Sequence, residues 1–334
     1  RSTLFPYTTL FRSVKLRFQV ALPPTRRCII PPSARLCPPM KAAFFFLYLI
    51  QLLPFTAIQK LADAIGSLAY YAVVPRRRIG EINLRLCFPE WSEKQRKTLL
   101  KRHFRHMAKL ILEYGLYWYG SAERLKSLVR YQDKHHLDNE LAAGNKVILL
   151  YPHFTAFELA VYALNQDMPL TSMYSHQKNP VLDQQILRGR HRYNNVFLIG
   201  RTEGLRAIIK HLRADPAPFL YLPDQDFGRK DSIFADFFGI PTATIAGLPR
   251  IAALTQAKVV PAIPTRQPDG HVTLRFYPAW DNFPSEDVQA DVQRMNDFIE
   301  ERVREQPEQY FWLHKRFKTR PEGSPDFYAK PGKS

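Results

Sequence analysis

The chain has 334 residues, 46% of them hydrophobic and 13% aromatic, with a formal charge of +18. That length and aromatic content exclude a disordered chain and suffice for a core built without disulfides or metals. The charge points to an anionic partner: nucleic acid, an anionic membrane or a phosphorylated substrate.

Residues 1–39 hold seven basic residues, no acidic one, and both Cys28 and Cys37. The run TLFPYTTLFRS (3–13) resembles a translated sequencing adapter. Residues 1–39 are therefore read as an artefactual or disordered leader and left out of the fold reasoning. Removing those seven charges from +18 leaves +11. Cys87 is then the one cysteine, which excludes a disulfide framework and a Cys-rich zinc site and fits a reducing compartment. Its setting, LRLCFPEW, is that of a packing residue.

AAFFFLYLIQLLPFTAI (42–58) is 17 residues without charge, interrupted by Gln51 and Pro54. It sits at the short edge of the roughly 20 residues that a spanning helix needs. AIGSLAYYAVV (64–74) follows, then Arg76, Arg77 and Arg78. Residues 40–80 are expected to anchor to the membrane or lie in its interface, with aromatics in the lipid and cations at the headgroups. A signal peptide and a pair of buried helices are the alternatives. Residues 81–328 are expected to form the catalytic domain and 329–334 a tail.

Residues 93–120 carry Leu99, Phe104, Met107, Leu110, Ile111, Tyr114 and Leu116 at helical spacing. From Lys146 short apolar runs alternate with amphipathic stretches. KVILLY (146–151), LTSMYS (170–175), VFLIG (196–200), PFLYLP (218–223), KVVPAIPT (258–265) and HVTLRFYP (271–278) read as strands. Residues 157–165, 181–193, 204–213, 247–256 and 285–306 read as helices. The last has Val288, Val292, Met295, Ile299 and Val303 on one face. The alternation predicts an α/β fold, with a largely parallel central sheet flanked by helices.

Dinucleotide, P-loop, zincin and nucleophile-elbow motifs are absent from the sequence. The stretch that carries chemistry is PHFTAFELA, with His153 and Glu158. The spacing H-x-x-x-x-[DE] arises about once by chance at this composition, and His135/Glu140 shares it. Context separates the two. His135 lies in the polar QDKHHLDNE, whereas His153 follows the apolar KVILLY and opens an apolar helix. Open α/β sheets bind ligands beyond the carboxyl ends of their strands, where His153 falls. With Pro152 making a turn, Glu158 is expected to reach back to His153 Nδ1, leaving the other nitrogen to take a proton from a hydroxyl. The bland reading is a turn histidine and a glutamate favoured by the helix dipole. Arg188, Arg190, His191 and Arg192, followed by Arg201 past the next strand, are candidates for phosphate. Asp224 and Asp226 follow PFLYLP and serve to hold a metal, orient a base or cap a loop.

Taken together these stretches resemble the late acyltransferases of lipid A biosynthesis, the lauroyl/myristoyl transferases of Gram-negative bacteria. The resemblance runs from Met40 to Tyr328. It includes INLRLCFPEWSEKQR (82–96), HFTAFELA (153–160), GRHRYNN (189–195), PDQDFG (223–228), FFGIPTATIAG (237–247) and PEQYFWLHKRFKTRPEG (307–323). It implies a glycerolipid-acyltransferase-like fold on the cytoplasmic face of the bacterial inner membrane. The implied reaction moves a fatty acyl chain from acyl carrier protein to a hydroxyl on a 3-hydroxyacyl chain of a Kdo-bearing lipid A precursor. His153 would be the base and Glu158 its partner. Arg190, Arg201, Asp224 and Asp226 would serve substrate binding, with no cofactor and no metal. The +11 charge suits the acidic carrier, the anionic membrane and the phosphorylated glycolipid. An acyltransferase for another glycolipid, such as a mannosylated phosphatidylinositol, is the nearest rival. A non-catalytic membrane lipid-binding protein is the next. Nucleic acid is not expected as a partner, because the basic residues are dispersed.

Overall fold

A computed structural model describes residues 38–193 and 196–329. The leader expected over 1–39 and the tail expected over 329–334 lie almost wholly outside these residues.

The apolar run of 42–58 does not form one helix. Helix α1 (Pro38–Ile50) ends before Pro54, whose fixed φ and missing N–H stop the ladder, and α2 (Phe55–Ala72) restarts beyond it. Among the described residues no helix is long and apolar enough to cross a membrane. Helix α3 (Val74–Cys87) leads to α4 (Glu93–Leu112), which opens on a capping box between Ser92 and Gln95. Gly66 lets α2 lie against α4: a Cβ there would meet the Arg105 backbone at 2.5 Å. The helix expected over 93–120 breaks at Glu113, and α5 (Tyr114–Tyr119) follows as a separate helix. The break has a cause in Glu113, fully buried and bound by Arg266 (2.8 Å), Gln59 (2.9 Å) and Tyr117 (2.9 Å). Helix α1 packs on α5, with Phe44 edge-on to Trp118 and Tyr48 edge-on to Tyr119.

After α6 (Ala122–Ser127) the chain enters the α/β body. It runs β1 (Val129–Gln132), α7 (His135–Ala142), β2 (Val147–Leu150), α8 (Phe157–Asp167), β3 (Leu170–Tyr174), α9 (Pro180–Arg190) and β4 (Val196–Gly200). Then come α10 (Gly204–Ala214), β5 (Phe219–Tyr221), a ribbon of β6 (Ser232–Phe237) and β7 (Ile240–Ile245), α11 (Gly247–Thr255), β8 (Lys258–Arg266), β9 (Val272–Phe276) and α12 (Val288–Glu305). The main sheet has the order β1-β9-β8-β2-β5-β3-β4. All its pairs are parallel except β8–β9, which a short turn joins. The expected fold class is what forms. Strand β2 is buried throughout, as a Val/Ile/Leu run with neighbours on both sides should be. Each such side chain contributes about 1.5–3 kcal/mol by leaving water.

Two features had no expectation. Strand β1 is a short, half-exposed edge with a polar sequence, and the β6–β7 ribbon turns at Gly239 with φ +68°. On α12, Val292, Met295, Ile299 and Val303 are buried, but Val288 stands outside that stripe and is exposed.

Exposure of large apolar side chains is uneven. Of thirteen such exposed residues among those described, ten lie between Phe45 and Val74, including Leu52, Leu68 and Tyr71. The other three are Phe197, Leu254 and Val288.

Candidate active site

Sheet register builds the centre of the site. Leu150 of β2 pairs with Tyr221 of β5, so both strands end level. The next rung continues as Tyr151 N–H donates to Tyr221 O. His153 and Asp224 each stand three residues past a paired position and meet. The His153 amide donates to Asp224 Oδ2 at 2.9 Å, and Nδ1–H donates to Oδ1 at 2.7 Å. Both residues are buried, at 4% exposure each. Because an ionised carboxylate only accepts, this bond fixes the proton on Nδ1. Burial by itself would raise the Asp224 carboxyl, but the charge and hydrogen bonds of His153 outweigh it, with Arg316 adding, and hold it below its ordinary value.

This corrects the expected pairing of His153 Nδ1 with Glu158. Glu158 is buried in the first turn of α8, and its Oε1 accepts from Arg190 Nη2 at 3.0 Å and from the Tyr114 hydroxyl at 3.2 Å. Burial works against the Arg190 cation, yet Glu158 and the surrounding tyrosines raise its pKa overall. Arg190 also lies over the Tyr174 ring, 5.4 Å from its centroid. Two carboxylates thus take two different partners, one an imidazole and the other a guanidinium.

Asp224 and Asp226, expected to serve substrate binding, make their hydrogen bonds within the protein. Asp224 belongs to the histidine. Asp226 clamps its own loop: Oδ1 accepts from Gly228 N at 2.9 Å and Thr319 Oγ1 at 2.8 Å, and Oδ2 accepts from Thr319 N at 2.6 Å. The Asp226 amide donates to His314 Nε2 at 3.0 Å. Burial, with the nearby Arg316 and His153, pulls the His314 pKa down to about 3, so the ring is neutral and free to accept.

His314 and Thr319 belong to the strap of residues 309–319, which sequence reasoning left without a role. It crosses both strand ends. Thr155 N–H donates to Gln309 O, Phe311 N–H to His153 O, and the Tyr310 hydroxyl to Asp224 O. From the other side Asn83 of α3 donates to Trp312 O and His314 O, both at 2.7 Å. The one available signal was the length of PEQYFWLHKRFKTRPEG, since a run so rich in aromatics and cations has no helical or strand period.

His153, Glu158, Arg190 and Arg201 line one cavity, together with Tyr114, Tyr174 and Phe227. The cavity continues between α8 and β3–β4 past Ile186 and Leu198 to Asn165, Leu170 and Val196. Leu170 and Tyr174 are opposite ends of β3, so at about 3.3 Å per residue the channel extends some 13 Å from the polar end. Arg201 lies 4.5 Å from the Phe227 ring centroid and makes no ion pair among the described residues. Three of the five expected basic and acidic positions around His153, namely Glu158, Arg190 and Arg201, therefore share its cavity, while Asp224 bonds the imidazole and Asp226 clamps its loop.

Such a site has the parts for acyl transfer: an oriented imidazole, cations beside it, and an apolar channel leading away. Residues 40–319 match the family described as bacterial lipid A biosynthesis acyltransferase. A lipid A biosynthesis acyltransferase of Haemophilus influenzae is 32% identical over 85% of this chain and 88% of its own length. The lipid A biosynthesis lauroyltransferase of Escherichia coli is 32% identical over 84% of this chain and 92% of its own length. The crystal structure of the 1-acyl-sn-glycerophosphate acyltransferase PlsC from Thermotoga maritima covers 76% of this chain and 99% of its own, at 13% identity and a TM-score of 0.37.

Proposed function

We propose, for a chain that belongs to the bacterial lipid A biosynthesis acyltransferase family, that the donor is an acyl carrier protein thioester. The acceptor is a hydroxyl on a 3-hydroxyacyl chain of a Kdo-bearing lipid A precursor. The observation that carries the mechanism is the bond from His153 Nδ1 to Asp224 at 2.7 Å, at the wall of the cavity.

With Nδ1 protonated, Nε2 is the base. It takes the acceptor's hydroxyl proton as the oxygen attacks the thioester carbon. Asp224 stabilises the imidazolium that forms. The tetrahedral intermediate collapses, the C–S bond breaks, and the proton on Nε2 passes to the departing thiolate. No bond to the enzyme forms. General-base help of this kind is worth about 10²–10⁴-fold. Glu158 is a positioning residue here, because it holds Arg190 at the cavity wall rather than turning the imidazole. Arg190 and Arg201 supply positive charge for a substrate phosphate or the developing oxyanion. The donor's hydrocarbon chain lies in the channel towards Leu170 and Val196. The thioester brings its own activation, so no cofactor enters a step.

The enzyme works at the cytoplasmic face of the inner membrane. The apolar surface from Phe45 to Val74, bordered by Lys60 and Arg76, rests in the interface of the anionic leaflet.

Mass spectrometry of a Kdo-bearing tetraacyl precursor, incubated with the protein and mixed acyl carrier protein thioesters, tests this reading. The expected result is a gain of one acyl chain that disappears in His153→Ala. No gain from a folded, membrane-bound protein would sink the assigned acceptor.

A further inference from the structure

The three exposed apolar side chains outside the amino-terminal surface gather around one pair of helices. Leu254 of α11 is 48% exposed and Val288 at the start of α12 is 36% exposed. Both line a groove of about 210 Å³ with Leu205 of α10 and Pro249 and Arg250 of α11. Phe197 of β4, 49% exposed, stacks on His211 of α10 with ring centroids 3.8 Å apart and planes 6° from parallel.

Arg250 is the charged side chain among those lining the groove, and cations outnumber free acids on the adjoining face of α10. Arg206, Lys210 and Arg213 stand at positions i, i+4 and i+7 of α10, so they share a face, and all three are exposed. Ile208 and Leu212 face inward. Arg213 Nη2 donates to Leu254 O at 2.8 Å, which ties the two helices together. Arg250 is exposed on α11. Arg206, Lys210 and Arg250 have no ion-pair partner among the described residues. The acidic groups nearby are Glu203, whose carboxylate accepts from Gly200 N, Asp215 at the far end of α10, and Glu286 and Asp287 on the α12 side.

An apolar groove with Arg250 in its wall, beside a helix whose exposed face carries Arg206, Lys210 and Arg213, fits an amphipathic acidic helix. Its place in the fold selects the partner. Leu205 stands four residues beyond Arg201, across the turn at Gly204, and Arg201 lines the cavity that holds His153. We infer that the α10–α11 surface docks the acidic carrier protein that delivers the acyl thioester. This rests on the donor assigned under the proposed function. The amino-terminal apolar surface meets the bilayer, and the α10–α11 surface meets the donor.

The test is steady-state kinetics of the full-length, membrane-bound protein with Arg206→Glu/Lys210→Glu and, separately, Arg250→Glu. Each is assayed with an acyl carrier protein thioester and with the same acyl group on pantetheine. Reversing rim charges acts on encounter, so KM for the carrier thioester is expected to rise roughly tenfold or more, with kcat kept. The wild-type KM is expected to rise with salt, and the variants' to rise less. Turnover with acyl-pantetheine is expected to stay unchanged, as are the melting temperature and partition onto anionic vesicles. An unchanged KM for the carrier thioester would overturn the inference. Equal losses with both donors, accompanied by weaker vesicle binding or lost self-association, would assign the surface to the membrane or to a second copy. A wild-type protein that uses acyl-pantetheine and ignores the carrier thioester would overturn the donor reading itself.

Discussion

The cavity wall and the amino-terminal helices draw on the same residue types and use them in opposite ways. Around His153, the rings of Phe154, Tyr151 and Tyr310 are almost wholly buried, and they close the site on the side of β2 and β5. Along α1, α2 and the turn between them, Phe45, Leu52, Leu68 and Tyr71 stand open, 61% to 71% exposed. Water tolerates the first arrangement and penalises the second, because each large side chain left out forgoes about 1.5–3 kcal/mol. An apolar surface of that extent is stable only against something apolar. On the proposed function, the comparison gives the two regions separate roles, chemistry in the α/β body and attachment on the helices before it.

Several variants would break or sharpen that separation. The largest effect belongs to Asp224→Asn. An amide has one acceptor oxygen where the carboxylate offers two, to the His153 amide and to Nδ1–H, and it carries no charge for the imidazolium. Transfer rate, followed by mass spectrometry, is expected to fall about 10²–10⁴-fold, with vesicle binding unchanged. Retained activity would remove His153 from the role of base.

Next is the joint between the two regions. Arg266→Met strands the fully buried Glu113, which also accepts from Gln59 of α2. Removing one partner of a buried ion pair typically costs about 3–5 kcal/mol, and unfolding in denaturant measures it. A loss confined to the helices would show that attachment and chemistry fold separately. Third, Leu52→Asp combined with Leu68→Asp should weaken partition onto anionic vesicles at least about tenfold, since even one buried side chain is worth that much. The rate on detergent-dispersed substrate should hold. Equal partition would move the attachment surface elsewhere.

The expected fold was legible where burial is local. VFLIG is β4 residue for residue, and the apolar run 146–151 contains β2. Glu158, Arg190 and Arg201 were found because each sits next to a strand end or on the helix that follows. The histidine's acid was not legible. Asp224 is 71 residues from His153 and meets it only because β5 inserts between β2 and β3. Spacing along a helix pointed to Glu158, the nearer carboxylate, and nothing local encodes the order of parallel strands. The helix break at Glu113 escaped for a like reason: its partner Arg266 lies at the end of β8. The strap 309–319 has no period, since its backbone bonds go to other segments.

The smallest effect concerns acid. Burial pulls the His103 pKa from its ordinary 6.5 down to about 4, where its Nδ1 bonds Glu308 O at 3.0 Å. His314 is held lower still, at about 3. Between pH 6.5 and 4 the unfolded chain binds protons that the folded chain refuses. Stability is therefore full above pH 6.5 and falls as pH drops, by up to about 1.4 kcal/mol per pH unit for each histidine. His103→Leu should flatten that limb of a melting-temperature profile. An unaltered slope would show that His103 is not among the groups responsible.

The strap has a consequence in time. It is pinned by Asn83 of α3, yet it is translated more than two hundred residues later. At about 5–20 residues per second, the ribosome makes α1 to α3 tens of seconds before the segment that braces His153 and Asp224. During that interval His153 and Asp224 lack the brace that the strap supplies. On the proposed function, a nascent chain meets its bilayer through α1 and α2 before its base and acid are held in place.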